Sequence, residues 1–267
     1  HELNMPGAYK EVKDTTVVAL FKVIKNDQSS FLFDDPNEDV RIAAWTTTPW
    51  TLPSNTALCA GPDISYIKIK TSNPYTHTPV SVVLAEALVP NWFGGKNQST
   101  VEGQSAAFKG SKMKGIRYEP LLDFGNEIEP LLGGTDAYLV LTGDHVTTSD
   151  GTGIVHTAPS FGADDQRVAK ANGVGTLTLV DQTGKFKENV GPYSGRYVKD
   201  YKDEPGYVAV DIDIAIQLKT EGKALNVQKY EHNYPHCWRT DKPVLYYPMD
   251  SWFIKSTACK DRMIELN

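Results

Sequence analysis

The chain has 267 residues, of which 33 are acidic and 27 basic, giving a formal net charge of -6. This length can bury a sizeable core, and the acidic balance excludes a nucleic-acid binder that relies on its own basic patch, because phosphate neutralisation needs clustered Lys and Arg. Three cysteines exclude a disulfide framework and are typical of a reducing compartment, so we expect a cytoplasmic location. No apolar run is long enough to predict a membrane span, so no membrane partner is expected.

The first half of the chain is rich in predicted strands. Alternating or β-branched runs bounded by Pro, Gly, Asn or Asp predict strands at 15–23, 40–48, 64–71 and 79–88. Residues 89–135 are rich in Gly and Lys and predict loops around one short strand near 114–120.

The second half adds strands and the first clear helix. Strands are predicted at 137–146 and 152–158, and a helix at 163–173 that ends at Gly173. Residues 207–222 alternate perfectly from Val208 to Leu218, which favours a strand, but Lys219 and Gly222 form a typical helix exit. We expect a helix for the latter part, and therefore a mixed α/β domain with a β-rich core and few helices.

The stretch WTTTPWTLPSNT, residues 45–56, carries three consecutive threonines at the end of a predicted strand. In a strand Thr46 and Thr48 share one face and Thr47 takes the other. Threonine simply suits strands, which is one explanation. The other is a group of hydroxyls that lines a pocket, where they donate hydrogen bonds or position water, since a threonine is no nucleophile without an adjacent base.

The stretch GTGIVHTAPSFGADDQRV, residues 151–168, places His156 on a short strand and Asp164 and Asp165 in the first turn of a helix. A half-buried structural histidine and two dipole-favoured carboxylates are one interpretation. The same helix field keeps a carboxylate ionised, and an ionised Asp facing a cleft would bind an ammonium group. A catalytic triad is not expected, because neither a GxSxG motif nor a plausible Cys nucleophile accompanies these residues.

The stretch HNYPHCWRTDKP, residues 232–243, raises the possibility of zinc through His232, His236 and Cys237. The second Cys of a C-x2-C knuckle is absent, because position 240 is Thr. A turn followed by a strand at 244–249 is preferred, and no metal is expected.

Together these three stretches, in consistent order from about residue 10 to the end, resemble the editing domain of isoleucyl-tRNA synthetase, also called connective peptide 1. The FGADDQ stretch resembles the eukaryotic cytosolic or archaeal-type branch, of which we expect the eukaryotic cytosolic type. The resemblance implies a single editing domain over 1–267, inserted in a larger synthetase, with 237–267 returning towards the catalytic core. It also implies a β-barrel-like, β-rich core with a few flanking helices.

The resemblance implies hydrolysis of misacylated valyl-tRNA(Ile), with isoleucine excluded by size. Isoleucyl-tRNA synthetase is itself a worked case of double-sieve editing, in which one methylene contributes only about 1–3 kcal/mol of discrimination at the first site. The implied partners are the acceptor end of tRNA(Ile), the misattached valine and the rest of the synthetase chain. No cofactor is implied, since ATP belongs to the separate synthetic site. The alternative is a non-catalytic connective module that binds the tRNA acceptor end.

The implied catalytic residues are Thr48, Asn55 and His156. Asn55 matches an asparagine that contributes to hydrolysis. His156 matches a histidine that shapes the pocket against isoleucine and positions the ester or water; a neutral His156 could also assist as a base.

The implied substrate-binding residues are Asp165, Thr46, Thr47 and Trp45. Asp165 matches the aspartate that binds the α-ammonium of the misattached amino acid. The threonines, Thr48 included, match the peptide that lines the pocket and contacts the terminal adenosine, and Trp45 packs beside that adenosine.

Overall fold

The structure, a computed structural model, describes residues 5–95, 98–199, 207, 209–252 and 254–267. These residues form ten strands and four α-helices, with short 3-10 helices between them. The strands are β1 (Tyr9–Lys22), β2 (Val40–Thr46), β3 (Ala57–Ala60), β4 (Ser65–Ser72), β5 (Pro79–Ala85), β6 (Gly103–Gln104), β7 (Phe108–Lys109), β8 (Leu139–Thr142), β9 (Ile154–Thr157) and β10 (Ala224–Pro235). The helices are α1 (Val89–Trp92), α2 (Ala163–Ala171), α3 (Val210–Thr220) and α4 (Lys260–Glu265).

The strands form two sheets. The larger sheet has the order β10-β1-β2-β5-β4-β6, and β7 also pairs with β4. All its pairs are antiparallel except β2 with β5. In the smaller sheet β3 lies between β8, to which it is parallel, and β9, to which it is antiparallel. The expected β-rich core and few helices are confirmed. The described strands do not close into a barrel, however, and form two open sheets.

One apolar core joins the two sheets and α3. It includes Phe21 and Ile42 of the larger sheet, Leu58 and Ile154 of the smaller sheet, and Ile214 of α3, each no more than 3% exposed. Burial of this shared apolar surface is the main stabilising contribution to the fold. It also holds the end of β2 next to β9, where two of the sequence motifs meet.

The two helices predicted from the sequence are confirmed, although the alternation near α3 is misleading. Val210, Ile214 and Leu218 are buried at helical spacing, whereas Ile212 and Ile216 are 42% and 54% exposed. The helical period places alternate residues of this run on different faces, and packing of one face against the core decides between helix and strand. Val208, part of the same run, lies outside the described residues.

Several strand predictions were wrong in extent or existence. The strand predicted at 40–48 stops at Thr46, and residues 114–120 form only isolated bridges. The strand predicted at 244–249 is not formed. Conversely, β10 was not predicted, because its many polar residues give no alternating apolar pattern. The strand is stabilised by its long partner β1, with which it has eleven paired positions from Tyr9 to Ala19.

In the described ranges, none of the helices has the length and apolar character needed to cross a bilayer.

Candidate active site

A cavity of about 240 Å³ lies where the end of β2, the following 3-10 helix, β9 and the start of α2 meet. Its lining comprises Trp45, Thr46, Thr47, Thr48, Thr51, Val155, His156, Ala158, Phe161 and Asp165. Residues of two motifs about a hundred positions apart in sequence therefore share one wall. All the predicted site residues line this cavity except Asn55, which lies behind it.

Another cavity in the described part, of about 530 Å³, lies along the β1–β10 ribbon. It contains none of the predicted site residues. Several of its charged side chains are already paired, Lys10 with Asp241 and Lys199 with Asp14. Its larger volume is therefore a weaker functional signal than the chemistry of the smaller cavity.

The three threonines reach the same cavity because β2 ends at Thr46. Thr47 lies in a bend, and Thr48 precedes a 3-10 helix at Pro49–Ser54 that Pro49 begins. The Thr48 N–H donates to Thr46 Oγ1 at 3.1 Å, and the two hydroxyls lie 3.3 Å apart. The alternation of faces predicted for Thr46, Thr47 and Thr48 holds only within a strand, and all three residues border the cavity.

A glycine turn fixes β9 against the larger sheet. Gly151 and Gly153 both have φ +72°, and a Cβ on Gly153 would lie 2.4 Å from Cβ of Ala85. Between them, Thr152 donates from Oγ1 to the carbonyl of Ala43 at 2.8 Å. The two glycines of the GTG motif therefore let the backbone before β9 pack closely against β2 and β5. This packing positions β9, and with it His156, beside the cavity.

Both ring nitrogens of His156 are engaged inside the protein. Asn55 Nδ2 lies 2.9 Å from Nδ1, and Thr51 Oγ1 lies 2.9 Å from Nε2. Burial lowers the pKa of His156 to about 4, so the ring is neutral at physiological pH. In this arrangement neither nitrogen is free to take a proton from water, and the imidazole contributes a neutral wall.

Asn55 is 3% exposed and holds the histidine from behind. Its Nδ2 also donates to the carbonyl of Ala57 at 2.8 Å, and its Oδ1 accepts from the Tyr118 hydroxyl at 2.7 Å. The sequence analysis missed both Thr51 and Tyr118. Thr51 follows Thr48 by three positions and could have been included with it, whereas nothing in the sequence relates Tyr118 to a motif 63 residues away.

Asp165 presents a carboxylate to the cavity without a cationic partner. The Ala158 N–H donates to Oδ2 at 3.0 Å, but no Lys, Arg or His of the described residues forms an ion pair with Asp165. Burial, with a contribution from Asp164, raises the pKa of Asp165 to about 6. The expected effect of the helix dipole is thus outweighed by desolvation, and the group is still mostly ionised at neutral pH.

The neighbouring Asp164 behaves differently. It is an exposed residue whose side chain pairs with Arg167 at 3.2 Å across one helical turn. Such exposed pairs contribute little to stability. Of the two adjacent carboxylates, only Asp165 is therefore suited to binding a cationic ligand in the cavity.

The Cys59 thiol is protonated, and the His232 and His236 rings form hydrogen bonds to other groups. Burial raises the pKa of the Cys59 thiol to about 12, so it is not a thiolate. His232 bonds to Asp14 through Nε2 and His236 bonds to the Tyr234 carbonyl through Nδ1. Within the described residues, no three His, Cys, Asp or Glu side chains gather in a metal-binding cluster.

Comparison with known proteins gives a consistent result. The whole chain aligns with the isoleucine–tRNA ligase of Cytophaga hutchinsonii at 45% identity over 302 residues, which is 26% of that protein. It aligns with the isoleucine–tRNA ligase of Bacteroides fragilis at 46% identity over 308 residues, again 26% of that protein. All of this chain aligns with one segment of these isoleucine–tRNA ligases. It spans about a quarter of the length of these curated relatives.

The fold of the chain is similar to that of editing domains from other aminoacyl-tRNA synthetases. The editing domain of the P. knowlesi cytosolic leucyl-tRNA synthetase superposes with a TM-score of 0.55 at 11% identity, over 83% of this chain and 97% of that one. The corresponding P. falciparum domain gives a TM-score of 0.55 at 8% identity, over 80% and 99%. No family model matches the chain.

The resemblance inferred from the three motifs is thus confirmed: the sequence matches isoleucine–tRNA ligases and the fold is that of synthetase editing domains. The reported ligases come from bacteria, so the assignment to the eukaryotic cytosolic type receives no support from them and stays a prediction.

Proposed function

We propose that the chain is the editing domain of a larger isoleucyl-tRNA synthetase and hydrolyses the ester of valyl-tRNA(Ile) at the threonine-lined cavity. In this proposal the domain occupies 1–267, residues 237–267 lead back to the catalytic core, and the enzyme is cytoplasmic. The observation that carries the proposal is the unpaired carboxylate of Asp165 in a hydroxyl-lined cavity.

Asp165 would bind the α-ammonium of the misattached amino acid. A partly buried carboxylate without a cationic partner is costly, and an ammonium beside it would restore the favourable interaction that burial removes. This contact would anchor the amino acid while the tRNA end enters past Trp45. Binding of the ammonium would thereby fix the position of the ester carbonyl.

Discrimination would come from the wall formed by His156 and its neighbours. The imidazole is neutral and held by hydrogen bonds on both nitrogens, so it cannot move aside without breaking them. A close-packed wall resists an additional methylene, and overpacking typically costs about 1–3 kcal/mol. Valine would fit beside this wall, whereas isoleucine would be excluded.

Hydrolysis would proceed by direct attack of water on the ester carbonyl. A bond forms between the water oxygen and the carbonyl carbon, the bond to the ribose oxygen breaks, and a proton passes from the water to that ribose oxygen. The Thr46, Thr47 and Thr48 hydroxyls surround the place where water and the developing oxyanion would lie. Asn55 would act through His156 as a positioning residue, and no cofactor would be required.

The proposed partners are the acceptor end of tRNA(Ile) and the rest of the synthetase. With a net charge of -6 the chain would contribute few phosphate contacts, so most tRNA affinity would come from elsewhere in the enzyme. We expect weak binding of whole tRNA by this chain alone.

The test compares Asp165→Asn with Asp164→Asn in the synthetase that carries this chain. Asn at 165 keeps the shape and can still accept from the Ala158 N–H, but it lacks the charge. Loss of a desolvated charge partner costs about 2 kcal/mol or more, so kcat/KM for deacylation of valyl-tRNA(Ile) should fall about thirtyfold or more. Asp164→Asn should leave the rate near that of the wild type, because its side chain is paired and exposed. A non-catalytic connective module predicts instead that neither variant changes deacylation.

A further inference from the structure

A continuous hydrogen-bonded series runs from the core to the cavity. It connects Tyr118, Asn55, His156, Thr51 and the carbonyl of Thr48 in that order, with distances of 2.7, 2.9, 2.9 and 2.8 Å. Its members come from three separate parts of the chain. Tyr118 is the innermost member and was assigned no role above.

The direction of every hydrogen bond in the series follows from one carbonyl. The Ala57 carbonyl oxygen can only accept, so the Asn55 atom 2.8 Å from it must be the amide nitrogen. The other amide atom, Oδ1, can only accept, so the Tyr118 hydroxyl donates to it. This settles the orientation of the amide by chemistry.

The same reasoning determines the tautomer of His156. The second Asn55 Nδ2 hydrogen points at Nδ1, which must therefore be the unprotonated nitrogen. Nε2 then carries the proton and donates to Thr51 Oγ1, which in turn donates to the Thr48 carbonyl. All the members are satisfied in this direction, whereas a proton on Nδ1 would meet the Asn55 amide hydrogen and forfeit that hydrogen bond.

Tyr118 is well suited to hold the Asn55 amide in this orientation. Its side chain is 1% exposed and packs edge-on against Phe21 and Tyr138, with ring centroids 5.4 and 6.2 Å apart. Its backbone N–H also donates to the Tyr138 carbonyl at 3.0 Å. Burial raises its pKa well above the ordinary value, so the hydroxyl stays protonated and remains a donor.

We propose that Tyr118 is a positioning residue of the editing site, which orients the Asn55 amide and thereby holds His156 as the neutral Nε2–H tautomer in the cavity wall. The inference rests on the proposed editing function, which assigns that wall to valine and isoleucine discrimination. Without the Tyr118 hydroxyl, Asn55 Oδ1 is buried without a donor, and the amide keeps only the partners of its Nδ2. The amide is then held less firmly, and the imidazole that depends on it samples more than one position.

The direct test is nitrogen NMR of the chain with labelled histidines. The wild type should show His156 with a proton on Nε2 and none on Nδ1, and a proton on Nδ1 would overturn the proposal even if no variant folds. Tyr118→Phe should change or broaden the His156 signals. Tyr138→Phe, which removes the hydroxyl of the adjacent ring, should leave them unchanged.

The kinetic test uses the synthetase that carries the chain. Tyr118→Phe should raise the rate of isoleucyl-tRNA(Ile) deacylation relative to that of valyl-tRNA(Ile) by about fivefold or more, since it loosens the His156 wall and a rigid wall resists the additional methylene by about 1–3 kcal/mol. KM for valyl-tRNA(Ile) should change little, because Asp165 is untouched. In the His156→Ala background the same substitution should have almost no further effect, because the two residues act in one series.

The outcomes separate this inference from the proposed function. If Asp165→Asn abolishes editing but the Tyr118→Phe effect is absent, or is equally large with and without His156, the Tyr118 role is refuted and editing stands. If Asp165→Asn leaves editing unchanged, the proposed function fails, and the NMR comparison still decides whether Tyr118 holds the tautomer.

Discussion

The charge of Asp165 gives the site a specific dependence on pH. Burial raises the pKa of this carboxyl from its ordinary 3.8 to about 6, and only its ionised form attracts an ammonium. Between about pH 7 and pH 5 the ionised fraction of the free protein falls from about nine tenths to about one tenth. Because the pKa is raised, binding is strong above pH 6 and is lost as the pH falls through 6. The apparent affinity for the ammonium should therefore fall about tenfold between pH 7 and pH 5, or about 1.4 kcal/mol.

The second titratable group of the cavity does not interfere in this range. Burial lowers the pKa of His156 to about 4, so the ring stays neutral between pH 5 and pH 7. The pH dependence of kcat/KM should therefore come from Asp165 alone, and its midpoint should report the pKa of Asp165 in the free enzyme.

The assay measures kcat/KM for deacylation of valyl-tRNA(Ile) from pH 5 to pH 7 in the wild type and in Asp165→Asn. Dividing one profile by the other removes the general effect of pH on ester hydrolysis, and the quotient should fall about tenfold towards pH 5. N-acetylvalyl-tRNA(Ile), which has no ammonium, should show no such fall. The reasoning is refuted if the quotient is constant, or if its midpoint lies near 4, the position of an ordinary exposed carboxyl.

Two further predictions concern the wall and its support. His156→Ala should increase deacylation of correctly charged isoleucyl-tRNA(Ile) relative to valyl-tRNA(Ile), measured as the ratio of the two rates; an unchanged ratio would remove His156 from the size discrimination. Gly153→Ala should lower the free energy of unfolding by about 3 kcal/mol or more, because it adds strain at φ +72° to an overlap with Ala85. Gly125→Ala, with the same φ and no neighbour within 4 Å, should lose only about 1–2 kcal/mol, and equal losses in chemical denaturation would contradict the packing argument.

Two of the site residues lie on one short strand–loop–helix segment, which is why this motif could be recognised from the sequence before the fold was known. His156 and Asp165 are nine positions apart, and the strand that carries His156, the loop after it and the helix start that carries Asp165 are all local structures with local signals. The strand β9 and the start of α2 were both predictable from neighbouring residues alone. The same holds for Thr46 and Thr48, which lie within the three residues before Pro49.

Long-range packing decided the features that local patterns misrepresented. The alternating run at α3 became a helix because one face covers the core, and β10 formed because β1 offered a long partner. Thr47 reached the cavity only because the chain bends after β2. In each case a tertiary contact outweighed a local periodicity.

The sequence by itself determined which chemical groups the site has: an aspartate at a helix start, a histidine on a glycine-bounded strand and threonines before a proline. Only the tertiary structure decided their states, since burial raises the pKa of Asp165, lowers that of His156 and leaves Asp165 without a cation. It also brought Thr51 to the histidine and Tyr118 to Asn55, which holds that histidine, from distant parts of the chain. Desolvation and hydrogen-bond direction depend on what surrounds a side chain in space, and residues far apart in sequence supply those surroundings.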